Sequence, residues 1–163
     1  MFREMRRKKQ LLSNNESIEI LKNSTCGVLA LLGDDAYPYA VPISYVYDHS
    51  KIYFHGAKSG HKIDAIRNCN KASFCVIAQD IVVPEEYTTY FRSVIAFGKI
   101  RILEEETEIR AAIEKLAIKY NPKDSVENRK QIIAREWNPL CMMELSIEHL
   151  TGKEAIEIVK KKR

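Results

Sequence analysis

The chain has 163 residues, of which 45% are hydrophobic and 29% are charged, with only 6 glycines and 5 prolines. This composition predicts a single globular domain over residues 1–163 and excludes fibrous, low-complexity and disordered proteins. The formal net charge is +4, but the excess positive charge lies in two short basic tails, residues 1–10 and 160–163, and the body between them is acidic. We therefore expect solvated basic ends and no groove for nucleic acid on the body.

No apolar run reaches the ~18 residues that a membrane-spanning helix needs, and the basic start leads into polar residues rather than a signal-peptide core. A cytoplasmic protein without membrane contact is therefore expected. The four cysteines, which lack zinc-site spacing, are predicted to be buried reduced thiols, and no metal site is predicted. They are Cys26, Cys69, Cys75 and Cys141.

The first half of the chain predicts one short helix and then strands. Ser13 and Glu16 have the spacing of a capping box, which indicates an amphipathic helix over about 14–23. Apolar runs and alternating patterns, separated by turn residues, then predict a meander of three strands. These strands are 25–32, 37–47 and 51–56, and a helix at about 60–68 and a strand at 72–78 follow them.

The second half mixes long strands with the clearest helices. Residues 89–103 are long enough for one bent strand, with Gly98 at a bulge or kink. Six or seven strands with antiparallel-type connections, and helices inserted late, predict an α+β barrel rather than a parallel sheet. The remaining predicted elements are helices at 104–120 and about 125–137 and strands at 140–147 and 154–159.

The stretch 52–66 carries the most specific chemical pattern. A strand ends at Gly56, a loop of small residues follows, and a helix then opens with two basic residues. Backbone N–H groups and the side chains of His61 and Lys62 would then face one point, as phosphate binding requires. Ile63 stands where a triphosphate P-loop needs a magnesium-binding hydroxyl, so that motif is excluded. A basic helix start on the surface is the alternative interpretation, although it opposes the helix dipole.

Four separated motifs, in the same order, resemble the flavin-binding split barrels related to pyridoxamine 5′-phosphate oxidase, and within them the nitroimidazole-resistance (Nim-type) branch. The motifs are residues 1–7, 37–45, 53–66, and 90–94 with 97–99. The resemblance covers nearly the whole chain. It implies a six- to seven-stranded antiparallel split β-barrel with peripheral helices, and a homodimer with flavin at the subunit interface.

The resemblance also implies the site residues. In that family the second strand runs along the flavin ring, the third strand and its loop hold the ribityl chain and phosphate, and a later long strand also reaches the site. The matching residues are Val41, Pro42, Ile43 and Ser44, then His55, Ser59, His61 and Lys62, and finally Ser93. His55 is predicted to be catalytic, as proton donor or oxyanion stabiliser. A strand-end histidine hydrogen-bonded to the backbone is the alternative.

Two departures argue against pyridoxamine phosphate oxidation. Val41 replaces a basic residue of the oxidase, and residues 147–152 lack its Arg-x-His motif. The favoured function is flavin-dependent reduction of a small-molecule substrate that is electron-poor, such as a nitro compound, with FMN as cofactor and FAD as the alternative. Two other functions stay open: a flavin-binding carrier or redox sensor with little turnover, and a split barrel that uses a deazaflavin or haem. For haem, His149 is the late candidate ligand.

Overall fold

Seven antiparallel strands form one sheet in the computed structural model, which describes residues 1–162. Arg163, the last residue of the predicted C-terminal tail, lies outside the described residues. The strands are β1 Cys26–Leu32, β2 Pro38–Ser44, β3 Val46–Asp48, β4 Lys51–Ala57, β5 Lys71–Val83, β6 Thr88–Ile102 and β7 Leu140–Glu154. The helices are α1 Asn14–Asn23, α2 His61–Asn68, α3 Glu106–Tyr120, α4 Val126–Arg135 and α5 Ile156–Lys161. None of the helices within residues 1–162 has the length and apolar character needed to cross a bilayer.

The strand order curls the sheet into the predicted split barrel. The order is β2-β1-β5-β6-β7-β4-β3, so β2 and β3 lie at opposite ends of the sheet. Only Tyr45 separates these two strands along the chain, and the two ends of the sheet must therefore meet there. Tyr45 is fully buried, and its hydroxyl donates to the carbonyl of Leu21 at 2.8 Å. The predicted α+β class with an antiparallel split barrel and peripheral helices is confirmed.

Inward-facing apolar side chains from most strands fill the barrel. Phe74 lies at its centre and contacts Tyr45 and Phe54 edge-on, with ring centroids 4.8 and 5.1 Å apart. Each large side chain buried in this way stabilises the fold by about 1.5–3 kcal/mol. A second apolar cluster seats α3 on the outer face of β4 and β7, and it includes Tyr53, Leu116 and Met142.

Two local predictions are confirmed. The Ser13 hydroxyl accepts from the Glu16 backbone N at 3.2 Å, and the Glu16 carboxylate accepts from the Ser13 backbone N at 2.9 Å, so the capping box forms. The β6–β7 register shifts between Phe97 and Gly98, with the extra residue, Glu148, on β7. This is the bulge expected at Gly98.

Several predicted strands are corrected. Both hairpins of the predicted meander form, between β1 and β2 and between β3 and β4, but they do not make one continuous meander. β2 and β3 lie at opposite ends of the sheet, and β4 pairs with β7 on its other side. The predicted strand 37–47 breaks at Tyr45, where the chain passes from one end of the sheet to the other. The predicted strand at 140–147 forms but continues to Glu154 as β7, which pairs with both β4 and β6. The predicted strand at 154–159 is wrong, because α5 follows β7 there.

The basic N-terminal segment is not a detached tail. The ring of Phe2 stacks on His149 with centroids 4.8 Å apart, and Gln10 is buried. Leu11 forms a β-bridge with Lys153 of β7. The segment therefore lies along β7, although its basic side chains stay exposed.

The prediction of buried thiols holds for one cysteine. All four cysteines are free, and Cys141 is buried, but Cys26 is exposed. Cys69 and Cys75 are partly exposed, since the faces that carry them are not fully covered within this chain.

Candidate functional site

The predicted strand-loop-helix arrangement is present where β4 leads into α2. Gly60 has φ +114° and nothing within 4 Å of the position a Cβ would take, a backbone conformation that favours glycine. Its carbonyl accepts from the backbone N of Ile63 at 2.9 Å and of Asp64 at 3.1 Å. The preceding N–H groups, those of His61 and Lys62, lie in the first turn, where a helix supplies no carbonyl acceptor. This turn is therefore suited to an anion.

Lys62 reaches back across the end of β4. A Cβ added at Gly56 would lie 3.2 Å from the Lys62 Nζ and 3.5 Å from the Met143 Cε, so the absence of a side chain at Gly56 leaves room for the ammonium group. Burial of its ring and the nearby Lys62 charge both lower the pKa of His55 below its ordinary value of 6.5. His55 is therefore neutral at pH 7, with one ring nitrogen able to donate and the other to accept.

His61 faces a different strand from Lys62. Its ring stacks on Tyr39 with centroids 4.0 Å apart and an interplanar angle of 21°, and its Nε2 lies 3.8 Å from the Asp34 Oδ2. These contacts hold the start of α2 against the β1–β2 turn and the first residues of β2. The sequence suggested that His61 and Lys62 would face one point, but neighbouring positions on a helix diverge, and the two side chains contact β2 and β4 respectively. Ser59 is exposed in the loop before them.

The predicted second-strand residues form an edge. Val41 and Ile43 pack against the barrel core, Pro42 is exposed and Ser44 is partly buried. Within the described chain β2 has only β1 as a ladder partner. Its other edge therefore offers backbone N–H and C=O groups, except for the missing N–H of Pro42, to a ligand that lies beside it.

Ser93 lies far from His55 within one chain. Ser93 of β6 pairs with Lys153 of β7, whereas His55 of β4 pairs with Met142 of the same strand. At ~3.3 Å per residue, the two positions on β7 are up to about 36 Å apart along the strand. The structure thus brings His55 and Lys62 together at the end of β4, and places Ser93 elsewhere.

A cleft beside His55 was not predicted from the sequence. It has a volume of about 350 Å³ and lies between the end of β4 and the pair α3 and α4. Its walls include Ile113 and Ala117 of α3 and Ile133 of α4. In the sequence, apolar residues at helical spacing predict only that one face of a helix is buried. The open space between the helices and β4 depends on how the helices dock on the sheet.

Comparison with known proteins identifies the fold and the family. Residues 13–154 match the family described as pyridoxamine 5′-phosphate oxidase. No curated protein matches the chain in sequence. A suspected 5-nitroimidazole antibiotic resistance protein from Bacteroides thetaiotaomicron is 17% identical and has a TM-score of 0.73, with 88% of this chain and 86% of that chain covered.

Two further solved structures share the fold. A FAD-binding protein from Mesorhizobium loti is 21% identical with a TM-score of 0.66, and the match covers 90% of this chain and 97% of that one. A FAD and heme binding protein from Mycobacterium smegmatis is 17% identical with a TM-score of 0.69, covering 95% and 80% respectively. At these identities the similarity establishes the fold alone.

Proposed function

The chain belongs to the pyridoxamine 5′-phosphate oxidase family, and from that premise we propose that it is a flavin-nucleotide-binding oxidoreductase that reduces small electron-poor molecules such as nitro compounds. The observation that carries the proposal is the junction of β4 and α2, where the first-turn N–H groups and the Lys62 ammonium lie at the end of one strand. This set of donors fits a flavin phosphate. Similar folds described as FAD-binding support a flavin.

Each part of the site has a separate task in this proposal. The junction holds the phosphate next to the ribityl chain, which FMN and FAD share; FMN is the cofactor proposed, with FAD as the alternative. The free edge of β2 at Val41 to Ser44 orients the ring. A bound flavin supplies hydride or electron transfer. His55, neutral at pH 7, donates a hydrogen bond to negative charge that develops on the acceptor.

A homodimer completes the proposed site. On the outer face of the sheet, Ile77 and Ile95 are 65% and 38% exposed and Phe97 is 37% exposed. Ser93 lies on this same face, because it alternates in phase with Ile95 and Phe97 along β6. Packing of two such faces would cover their apolar surface and bring the Ser93 of one subunit to the flavin of the other.

The Nim-type branch and the reduction of nitro compounds are the finer part of the proposal. The similarity in fold to the suspected resistance protein supports them. A flavin carrier or redox sensor is the other outcome, distinguished by turnover. Haem is not favoured, because the His149 ring is stacked on Phe2.

The test of cofactor binding is the Lys62→Ala variant. Loss of one charge-assisted phosphate contact, worth ~1.5–3 kcal/mol, should weaken flavin affinity about ten- to a hundredfold in a fluorescence titration of the flavin-free protein. Lys71→Ala is the matched control, since Lys71 is exposed at the start of β5. Equal flavin affinity in wild type and Lys62→Ala would exclude the phosphate role.

A further inference from the structure

The cleft beside His55 is built mainly from apolar side chains. Six residues of α3, α4, the segment before β7 and the start of β7 form most of its walls together with Ala57 of β4, and two polar side chains, His55 and Glu136, lie among them. The six apolar residues outside β4 are Ile113, Ala117, Ile132, Ile133, Pro139 and Leu140. Small-molecule sites share this combination of mostly apolar walls and a few polar groups.

The size of the cleft limits what it can hold. A dry cavity of about 150 Å³ is enough for benzene. The volume of about 350 Å³ therefore admits a substituted single ring or a pair of fused small rings. A larger ligand would have to extend out of the open side.

The charges of the lining disfavour an anion. In the part of the chain that the structure describes, no lysine or arginine lines the cleft. The carboxylate of Glu136 is among the lining groups. Its Oε1 accepts a hydrogen bond from the Arg135 Nε at 3.0 Å, but Arg135 is not part of the lining. The Lys62 ammonium lies by the Cβ position of Gly56, which faces the other side of β4 from His55. A carboxylate or phosphate on a ligand would thus meet the like charge of Glu136, while Lys62 stays on the far side of the strand.

We propose that this cleft is the acceptor site, and that it takes neutral planar ring compounds whose hydrogen-bond acceptor, such as a nitro oxygen, faces His55. The assignment of the ligand as acceptor rests on the proposed function. Binding of a ring compound in the cleft depends on these walls alone, so it can be measured separately from any turnover. The specificity follows from three features: apolar walls that favour a ring, a volume that favours a small one, and a lining that disfavours an anion.

Trp137 provides a readout of binding that needs no flavin chemistry. It is the only tryptophan of the chain, it is partly buried, and it directly follows Glu136 of the cleft. Nitrobenzene is the neutral probe and 4-nitrobenzoate the anionic one, because both quench tryptophan fluorescence and differ in one charged group. Flavin content is measured by absorbance in the same samples.

The variant Ala117→Leu fills the cleft, and Ala111→Leu is its matched control. Both change the same residue type on α3, but Ala117 lines the cleft and Ala111 is exposed outside it. We expect Ala117→Leu to raise the Kd of nitrobenzene roughly tenfold or more, as extra carbons in a fitted apolar pocket do. Ala111→Leu should bind as wild type does, and 4-nitrobenzoate should bind wild type roughly tenfold or more weakly than nitrobenzene.

Each other result overturns the proposal in a recognisable way. Equal nitrobenzene affinity in wild type and Ala117→Leu, or equal affinity for the two probes, rejects the site. Loss of flavin from Ala117→Leu but not from Ala111→Leu would show that the cleft holds the cofactor instead. A protein that binds nitrobenzene as expected but takes up no flavin would keep the cleft and reject the proposed function. If Ala117→Leu shows no cooperative thermal transition, Ile132→Phe replaces it, because Ile132 is 42% exposed and tolerates a larger side chain.

Discussion

His55 is solvent-accessible at the end of β4, yet the residues around it partly desolvate its ring and its pKa is lowered. The burial of its ring and the charge of Lys62 both act against protonation, so the neutral imidazole is the form present at and above pH 7. In the proposed role, that form is suited to donate a hydrogen bond to a developing oxyanion rather than a full proton.

Replacing His55 tests that role. His55→Ala should leave flavin bound and slow the reoxidation of chemically reduced protein by a nitroaromatic at least about tenfold. The wild-type rate should stay level above pH 7 and change only below the ordinary histidine pKa of 6.5, since the folded-state pKa is lower still. Stopped-flow absorbance of the flavin measures both.

A second histidine gives the control. His49 lies in the β3–β4 turn with its side chain 93% exposed, and His49→Ala should react as wild type does. Unchanged reoxidation in His55→Ala would remove His55 from the mechanism. Slow reoxidation in every protein, wild type included, would favour the carrier or sensor over the reductase.

Glu144 is a buried carboxylate with two cationic partners. It is 3% exposed, and it accepts from the Lys51 Nζ at 3.0 Å and the Arg101 Nε at 3.1 Å. Burial alone raises the pKa of Glu144, but the hydrogen bonds from Lys51 and Arg101 outweigh burial and hold it below 4.5. A carboxylate with a lowered folded-state pKa adds stability above the unfolded pKa and loses it as the pH falls through the folded value.

Glu144→Gln should therefore destabilise the protein by about 1–3 kcal/mol near pH 7 in urea unfolding, since two charge-assisted hydrogen bonds weaken. The difference from wild type should shrink as the pH falls below the ordinary value of 4.5. Glu148→Gln is the control: Glu148 is exposed on the same strand, 3.7 Å from Lys99, and its loss should cost no more than about 0.5 kcal/mol. A difference between wild type and Glu144→Gln that does not change with pH would contradict this account of Glu144.

At the scale of elements, the bulge between β6 and β7 lets two long strands stay paired while they bend. At this point the backbone of β7 comes so close to β6 that a Cβ on Gly98 would lie 2.0 Å from the carbonyl oxygen of Ser146 and 3.2 Å from the Cα of Ile147. Both neighbours are backbone atoms of a strand that is paired on both sides, so they cannot move independently.

Gly98→Ala should accordingly cost at least about 2 kcal/mol in urea unfolding, or prevent folding, because the ladder must separate to admit a methyl group. The neighbouring Lys99 has an exposed side chain, and Lys99→Ala should change stability by no more than about 0.5 kcal/mol. Wild-type stability in Gly98→Ala would mean that β7 shifts freely and that its close approach to β6 does not constrain the fold.

At the scale of the whole molecule, one chain leaves the outer face of β5 and β6 uncovered and keeps Ser93 away from His55. In the proposed homodimer, a second copy of the chain would cover this face and bring its Ser93 to the other subunit's site. Ile95→Asp places a charge in the middle of that face and should convert a dimer into a monomer with a large loss of flavin. Light scattering with simultaneous absorbance measures mass and flavin together.

The control for the dimer is an apolar residue on another surface. Ile118 of α3 is 44% exposed, and Ile118→Asp should leave both mass and flavin unchanged. A wild-type monomer that holds flavin at one per chain would exclude the shared site.

Some features of the protein follow from a few neighbouring residues, and these could be predicted. The capping box at Ser13, the bulge at Gly98 and the strand-loop-helix passage through Gly56 depend on conformational preferences that act within several positions of the chain. The residues of the junction with α2 could therefore be identified from the sequence, although not the opposite directions of His61 and Lys62.

Other features depend on which distant segments meet. Alternation along a strand shows which side chains share a face, but it does not identify the neighbouring strand. The break at Tyr45, the unbroken course of β7 and the distance between Ser93 and His55 all result from the strand order. The cleft between β4 and the pair α3 and α4 has the same origin, because its volume depends on where two helices dock on a finished sheet. Only tertiary structure decides such docking, since the contacts that determine it join residues that are far apart in the chain.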